Sequence, residues 1–234
     1  MNSLIIKNIK YNNVKLLVFD IAGTTVNEHG IVYETLYTTM NNYGLSVSRN
    51  DIQKWHGANK YEVLNNYLGK KYSGDDIISK NIRQQLHTNF DRNLKDRYFS
   101  NSDVTLINNK LPELLNSLRE KNIKIALNTG YSKEIQGAII NKLRMDEFID
   151  MYISAEEVKY GRPYPYMIYH LMEKCGIQNP KSVIKFGDTK NDILEGLNAQ
   201  CLASVGVLSG ADEETHLNEG HHILDSVMDI KLIS

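Results

Sequence analysis

Val14–Val26 reads VKLLVFDIAGTTV, and the interpretation of this stretch governs that of the whole chain. Leu16, Leu17, Val18 and Phe19 form an unbroken apolar run that stops at Asp20. So short and continuous a run predicts a strand covered on both faces, as in a parallel sheet, because neither face meets water and alternation disappears. The small turn Ala22-Gly23 and the hydroxyls of Thr24 and Thr25 follow at once. In open α/β sheets, reactive groups gather just past the carboxyl ends of such strands. A carboxylate there, beside a glycine turn with free backbone N–H groups, serves as a nucleophile, as a metal ligand, or only as the cap of the next helix.

Two further strand ends narrow that choice. Ile123–Ser132 (IKIALNTGYS) runs into Thr129-Gly130 before a helical segment. Ser182–Asp192 (SVIKFGDTKND) ends in Gly187-Asp188-Thr189, with Asp192 one helical turn further on. Between them lies Gly161-Arg162-Pro163-Tyr164-Pro165, a rigid turn presenting one guanidinium. Two carboxylate sites, a hydroxyl at a helix N-terminus and an arginine suit a phosphoryl group held with a hard divalent cation.

The strand–helix alternation stops after Val26. Val32, Leu36, Met40 and Tyr43 keep helical spacing across Gly30–Gly44, and further helices are predicted over Asn50–Trp55, Lys60–Leu68 and Asp75–Phe99. Alternation resumes with a helix over Leu111–Lys121, which carries Pro112 in its first turn. A helix from Ser132, a strand over Met151–Ser154, helices after Pro165 and through Ala199, and strands over Cys201–Val207 and near His222–Leu224 complete the pattern. The expected fold is α/β, a Rossmann-like parallel sheet formed by residues 1–28 and 100–234, with an all-helical insertion over 29–99. Its hinges are expected near Asn27–Gly30 and Ser100–Thr105. A lid so hinged over the strand ends excludes water and completes a site.

At 234 residues the chain can bury a core and still carry such an insertion. A formal net charge of −1 with dispersed Lys and Arg argues against nucleic acid or a membrane surface as partner. Cys175 and Cys201 lack metal-ligand spacing and read as small buried thiols. The N-terminal MNSLIIKNIKYNNVK has no signal-peptide core, and no stretch approaches transmembrane length, so a cytoplasmic location is expected. A homodimer stays open.

The order Asp20-x-Ala22-Gly23-Thr24-Thr25, Thr129-Gly130-Tyr131, Gly161-Arg162-Pro163-Tyr164-Pro165 and Gly187-Asp188-Thr189-x-x-Asp192 resembles the four motifs of the haloacid dehalogenase (HAD) phosphohydrolases. AGTTV after the aspartate, TGY, GRPYP and the run Gly187–Ala199 are most similar to the phosphonoacetaldehyde hydrolase (phosphonatase) subgroup. The resemblance spans about Val14 to Asp229 and implies a helical cap over a Rossmann-like core, with Mg²⁺ as cofactor and a small phosphorylated or phosphono compound as substrate. It makes Asp20 the nucleophile that forms an aspartyl-phosphate. Asp20, Asp188 and the carbonyl of Ala22 become metal ligands, and Asp192 a ligand or an orienting group. Thr129, Gly130, Tyr131 and Thr24 become phosphoryl or substrate contacts, and Arg162 neutralises developing charge. Most of the superfamily has lysine in that last role.

Ala22 carries the most information. HAD phosphatases have an aspartate there, which protonates the leaving oxygen and then activates water. Alanine does neither, and losing a general acid costs about 10²–10⁴ in rate. Breaking a carbon–phosphorus bond instead requires an electron sink, which a lysine imine on an adjacent aldehyde provides. Lys60, in Gly57-Ala58-Asn59-Lys60, matches the Schiff-base lysine of the resembled subgroup; a substrate contact and a solvated helix residue are the alternatives. That subgroup has cysteine, histidine and methionine near the positions of Ile31, Val63 and His56 here, so the surroundings of the lysine differ. His56 is then a candidate substrate contact and proton donor, with packing beside Trp55 as its plain alternative. The leading reading is a Mg²⁺-dependent hydrolase of phosphono-aldehydes. Its alternatives are a phosphate-monoester phosphatase or phosphotransferase on the same core, and an inactive HAD scaffold that binds a metabolite or partner.

Overall fold

The computed structural model describes residues 3–56, 58–71, 77–99 and 104–232. Gly57, the helix start expected at Asp75 and the crossing expected from Ser100 lie outside the described residues. In chain order the elements are β1 (Leu4–Ile6), β2 (Ile9–Tyr11), β3 (Leu16–Asp20), β4 (Val26–Asn27), α1 (Ile31–Asn42), α2 (Arg49–Gln53), α3 (Lys60–Lys71) and α4 (Ile77–Phe99). The second half holds β5 (Thr105–Leu106), α5 (Leu111–Glu120), β6 (Lys124–Thr129), α6 (Lys133–Lys142), β7 (Met151–Ser154), α7 (Tyr166–Lys174) and β8 (Val183–Gly187). It closes with α8 (Lys190–Asn198), β9 (Ala203–Val207), α9 (Glu214–Leu217), β10 (His222–Leu224) and β11 (Lys231–Leu232).

Six strands form one sheet in the order β10-β9-β8-β3-β6-β7, and every neighbouring pair is parallel. The expected α/β class is borne out, and the burial of β3 gives its cause. Leu16 and Val18 pack with Met167, Ile168 and Leu171 of α7 on one face. Leu17 and Phe19 join Leu115 of α5, Ile135 and Ile139 of α6 and Phe186 of β8 on the other. Helices thus cover both faces, which is why the strand reads as continuously apolar.

From β3 the chain steps to β6 and β7 on one side, then returns to β8 on the other. The crevice above β3 lies where the strand order reverses, the usual place for a ligand in such sheets. Asp20 sits beside Asn128 of β6, and Phe19 beside Phe186 of β8, so three strand ends converge there.

Helices α1 to α4 lie between β4 and β5. These two strands pair antiparallel, with Asn27 opposite Thr105, so the outgoing and returning crossings form a short ribbon. The cap's apolar residues Leu36, Met40, Leu64, Leu86 and Tyr98 belong to the same buried cluster as Phe19 and Leu127. The N-terminal segment forms the hairpin β1–β2, joined by β11 from the other end of the chain into a second, antiparallel sheet. Sequence reading missed this sheet because its strands are only two or three residues long. No helix among the described residues is long and apolar enough to cross a membrane.

Candidate active site

Asp20, Ala22, Thr129, Gly130, Tyr131, Arg162, Asp188 and Thr189 line one small pocket from the core side, and Val32, Tyr33 and Lys60 line it from the cap side. Asp20 ends β3, Thr129 ends β6, and Asp188 follows β8. Thr189 caps α8, its hydroxyl accepting from the Asp192 amide. Gly23 has φ +76, and a Cβ there would lie 2.4 Å from Asp188 Oδ2; a Cβ at Gly210 would lie 2.0 Å from the same atom. Only glycine lets these two turns close on that carboxylate. The Gly210 turn follows β9 and was not singled out in the sequence.

Arg162 is the hub of the pocket floor. Its Nη1 lies 2.7 Å from Asp20 Oδ1 and 3.1 Å from Asp192 Oδ1, and its Nε lies 3.1 Å from Glu195 Oε2. Its Nη2 also donates to the backbone carbonyl and the Oδ1 of Asn128, at 2.9 and 2.5 Å. Lys185, wholly enclosed in β8, reaches Asp192 Oδ1 at 2.7 Å and Asn128 Oδ1 at 2.9 Å. Asn128 Nδ2 in turn donates to both oxygens of Glu195 at 2.9 Å. Asn128, Lys185 and Glu195 were not named as site residues from the sequence. Lys185 left a readable signal, a charge in the middle of the buried run Val183–Gly187.

The balance of charge bears on the metal. Among the described residues, Asp20, Asp192 and Glu195 form ion pairs only with Arg162 and Lys185, and Asp188 adds a fourth buried carboxylate without an ion pair. Burial raises the Asp188 carboxyl well above the usual range, and the negative charges of Asp20 and Asp192 add to it. Burial also raises Asp20, against the opposing pull of Arg162. Burial alone would raise Asp192 too, but Arg162 and Lys185 hold it below the ordinary carboxylate range. One oxygen from each of Asp20, Asp188 and Asp192 lies within 4.8 Å of the others. This all-oxygen, electron-rich cluster suits a hard divalent cation. Both oxygens of Asp192 are engaged, Oδ1 by Lys185 and Arg162 and Oδ2 by the Thr189 hydroxyl at 2.5 Å. Asp188 is the less engaged, with Oδ2 accepting from the Ala211 amide and Oδ1 from Thr24 at 3.3 Å. Asp192 is thus the most tightly held of the three carboxylates, while Asp20 and Asp188 line the pocket together with Ala22.

Lys60 begins α3 and is buried, with Nζ donating to the Ala58 carbonyl at 2.8 Å and lying 5.0 Å from the centre of the Tyr33 ring. Burial pulls its ammonium down to about 8, with Asp20 resisting and Arg162 assisting. His56, expected to touch substrate, is not among the residues lining this pocket. Its Nδ1 faces Asp212 Oδ1 at 2.8 Å and its ring packs on Tyr33, because Asp212 supplies the polar partner that a half-enclosed imidazole needs. Behind the pocket, Oε2 of the buried Glu28 accepts from the hydroxyls of Tyr98 and Tyr131 and from the Val32 amide. Burial raises the Glu28 carboxyl despite these bonds.

A family model for haloacid dehalogenase-like hydrolases matches residues 14–200. The chain is 29% identical over 224 residues to the phosphonoacetaldehyde hydrolase of Bacillus cereus (strain B4264), covering 92% of this chain and 83% of the relative. It is 28% identical over 222 residues to the bifunctional phosphonoacetaldehyde hydrolase/aminoethylphosphonate transaminase of Clostridioides difficile (strain 630), covering 88% of this chain but only 33% of that longer relative. A phosphonoacetaldehyde hydrolase-like protein from Oleispira antarctica superimposes with a TM-score of 0.76 at 21% identity, over 96% of this chain and 93% of that one.

Proposed function

Because the chain belongs to the haloacid dehalogenase-like hydrolases, we propose that this hydrolase cleaves the carbon–phosphorus bond of a small phosphono-aldehyde, of the phosphonoacetaldehyde kind. The observation that carries this reading is Lys60: a buried amine, poised near neutrality, in the same pocket as Asp20. A lysine held largely protonated serves as an anchor, whereas one near 8 offers free amine at working pH and adds to aldehydes.

In this reading the free amine of Lys60 bonds to the aldehyde carbon, a proton is taken up from water, and water leaves, giving a protonated imine. A carboxylate oxygen of Asp20 bonds to phosphorus as the carbon–phosphorus bond breaks, and the bonding pair passes into the imine to leave an enamine. A proton from water goes to the former phosphorus-bearing carbon. One water releases the aldehyde and regenerates the amine; a second cleaves the aspartyl-phosphate and frees phosphate. Thr129, the Gly130 amide and Arg162 hold the phosphoryl oxygens while this occurs. Asp20, Asp188 and the Ala22 carbonyl would hold Mg²⁺, which would supply charge neutralisation at the phosphoryl group. Ala22 is consistent with such a leaving group, which needs an electron sink more than a general acid.

A phosphate-monoester substrate is the second reading, favoured by a phosphoryl-binding floor that comes entirely from the core and does not discriminate between leaving groups. The deciding experiment measures phosphate release from phosphonates and phosphomonoesters with Mg²⁺ and with excess chelator, alongside borohydride trapping with phosphonoacetaldehyde. An adduct on Lys60 with metal-dependent release from the phosphonate supports the leading reading. Release from esters alone, with no adduct, transfers the conclusion to the second. In that event Ala22→Asp should accelerate ester cleavage by restoring an acid.

A further inference from the structure

His56 and Asp212 sit outside the pocket, yet they join its two halves. His56 lies in the cap between α2 and α3, and Asp212 in the core loop after β9. Their side chains meet at 2.8 Å with only 13% and 6% exposure, so the contact is shielded from solvent. The Asn191 side-chain amide donates to the His56 carbonyl at 2.6 Å, adding a second tie between cap and core. On the core side, Asp212 is locked in turn: its Oδ2 accepts from the Lys190 amide at 2.8 Å, and its own amide donates to the Asp188 carbonyl at 3.2 Å. On the cap side, the imidazole packs against Tyr33 with ring centroids 4.1 Å apart, the same ring that lies beneath Lys60 Nζ. An unbroken set of contacts therefore runs from the loop bearing Asp188, through Asp212, His56 and Tyr33, to Lys60.

We propose that His56 is a positioning residue: clamped by Asp212, it closes the cap on the core and presses the Tyr33 ring into the place that holds Lys60 facing Asp20. The inference rests on Lys60 being the amine that meets substrate, and it deepens that reading by naming what sets the position of the amine. A hydrogen bond to a charged group in a shielded setting contributes enough to hold a lid closed most of the time. The two ties act together with the apolar packing of α1 and α4, so the clamp governs local opening and leaves the core intact.

Two buried lysines provide the test. Lys60 and Lys185 are 5% and 0% exposed, but only Lys60 depends on the cap. The full chain is labelled with formaldehyde and cyanoborohydride at one pH, and each lysine is followed by peptide mass spectrometry, with exposed Lys10 as the internal standard. His56→Ala and Asp212→Ala should each speed labelling of Lys60 by about 10- to 100-fold, with Lys185 unchanged and kcat/KM reduced. The double variant should be no faster than the faster single one, because both remove one shared contact. Asp212→Asn, which keeps an acceptor, should recover part of the protection. Tyr33→Leu should expose Lys60 with the clamp in place, and it carries the test if the clamp variants do not fold. Unchanged Lys60 labelling would overturn the proposal, as would joint exposure of Lys60 and Lys185, which signals general loosening. A missing phosphonoacetaldehyde adduct in the unaltered protein is a separate result; it refutes the imine and leaves the clamp standing.

Discussion

Arg162 and Lys60 are both buried cations at the same pocket, yet their surroundings differ in kind. Arg162, from the core, touches three carboxylates and an asparagine. Lys60, from the cap, has a backbone carbonyl at hydrogen-bond distance and an aromatic ring beside it. Burial acts on both, but the carboxylates Asp192, Asp20 and Glu195 overcome it at Arg162 and push that group further up. At Lys60 burial prevails and the ammonium falls to about 8. A charge that never changes is what a floor for phosphoryl oxygens requires. A charge that comes and goes near neutrality is what covalent chemistry on an aldehyde requires.

Breaking the core side should have the largest effect. Asp20→Asn removes the carboxylate oxygen proposed to bond to phosphorus, and turnover should fall about 10⁴-fold or more with the fold retained. Phosphate release above a few percent of the unaltered rate would remove Asp20 as nucleophile. On the cap side, Lys60→Arg keeps the charge and loses the ability to form an imine, so phosphonate turnover should drop about 10³-fold with no trapped adduct. Retained turnover would make Lys60 a simple contact.

The contrast also has a stability signature. Lys185→Met strips one of the two cations from the buried network and leaves Asp192 and Glu195 undercompensated, which costs about 3–5 kcal/mol in urea unfolding. A loss below 1 kcal/mol in that measurement would show that Arg162 alone balances the network.

Lys60 adds a pH dependence with a definite sign. Only the free amine attacks an aldehyde, so the initial rate of adduct formation under cyanoborohydride should rise about tenfold per unit of pH below 8 and level off above it. A midpoint near the ordinary lysine value would place Lys60 in water. The smallest effect is expected behind the pocket. Tyr98→Phe removes one donor to Glu28 while Tyr131 and the Val32 amide remain, and should cost about 1 kcal/mol in the same unfolding assay.

Much of the core was legible because it is encoded locally. Leu16–Phe19 and Ile125–Leu127 announce doubly covered strands by unbroken apolarity, Val183–Phe186 does so with Lys185 as its one interruption, and each ends in a short polar sequence beside a glycine. Cap helices α1 and α3 were legible from helical spacing, to within a few residues of their ends. The short strands β1, β2 and β11 were not, because two or three residues carry no period. His56 was read as a substrate contact because a histidine beside the lysine motif is chemically plausible there. Its partner Asp212 lies 156 positions away, and no local pattern points to it.

From its sequence alone this chain was determined to be an α/β protein with a helical insertion and an ordered set of strand-end Asp, Thr, Arg and Asp groups. Those features follow from burial and turn chemistry, which neighbouring residues set among themselves. Tertiary structure alone decided which charges meet: Asn128 with Glu195 across 67 positions, Lys185 with Asp192 across a strand end, and Lys60, among the described residues, with no carboxylate at hydrogen-bond distance. The protonation of a buried group depends on the depth of its burial and on the charges within a few ångströms. Both are properties of the folded arrangement, so the difference between a permanent cation at Arg162 and a switchable amine at Lys60 exists only once the cap lies over the sheet.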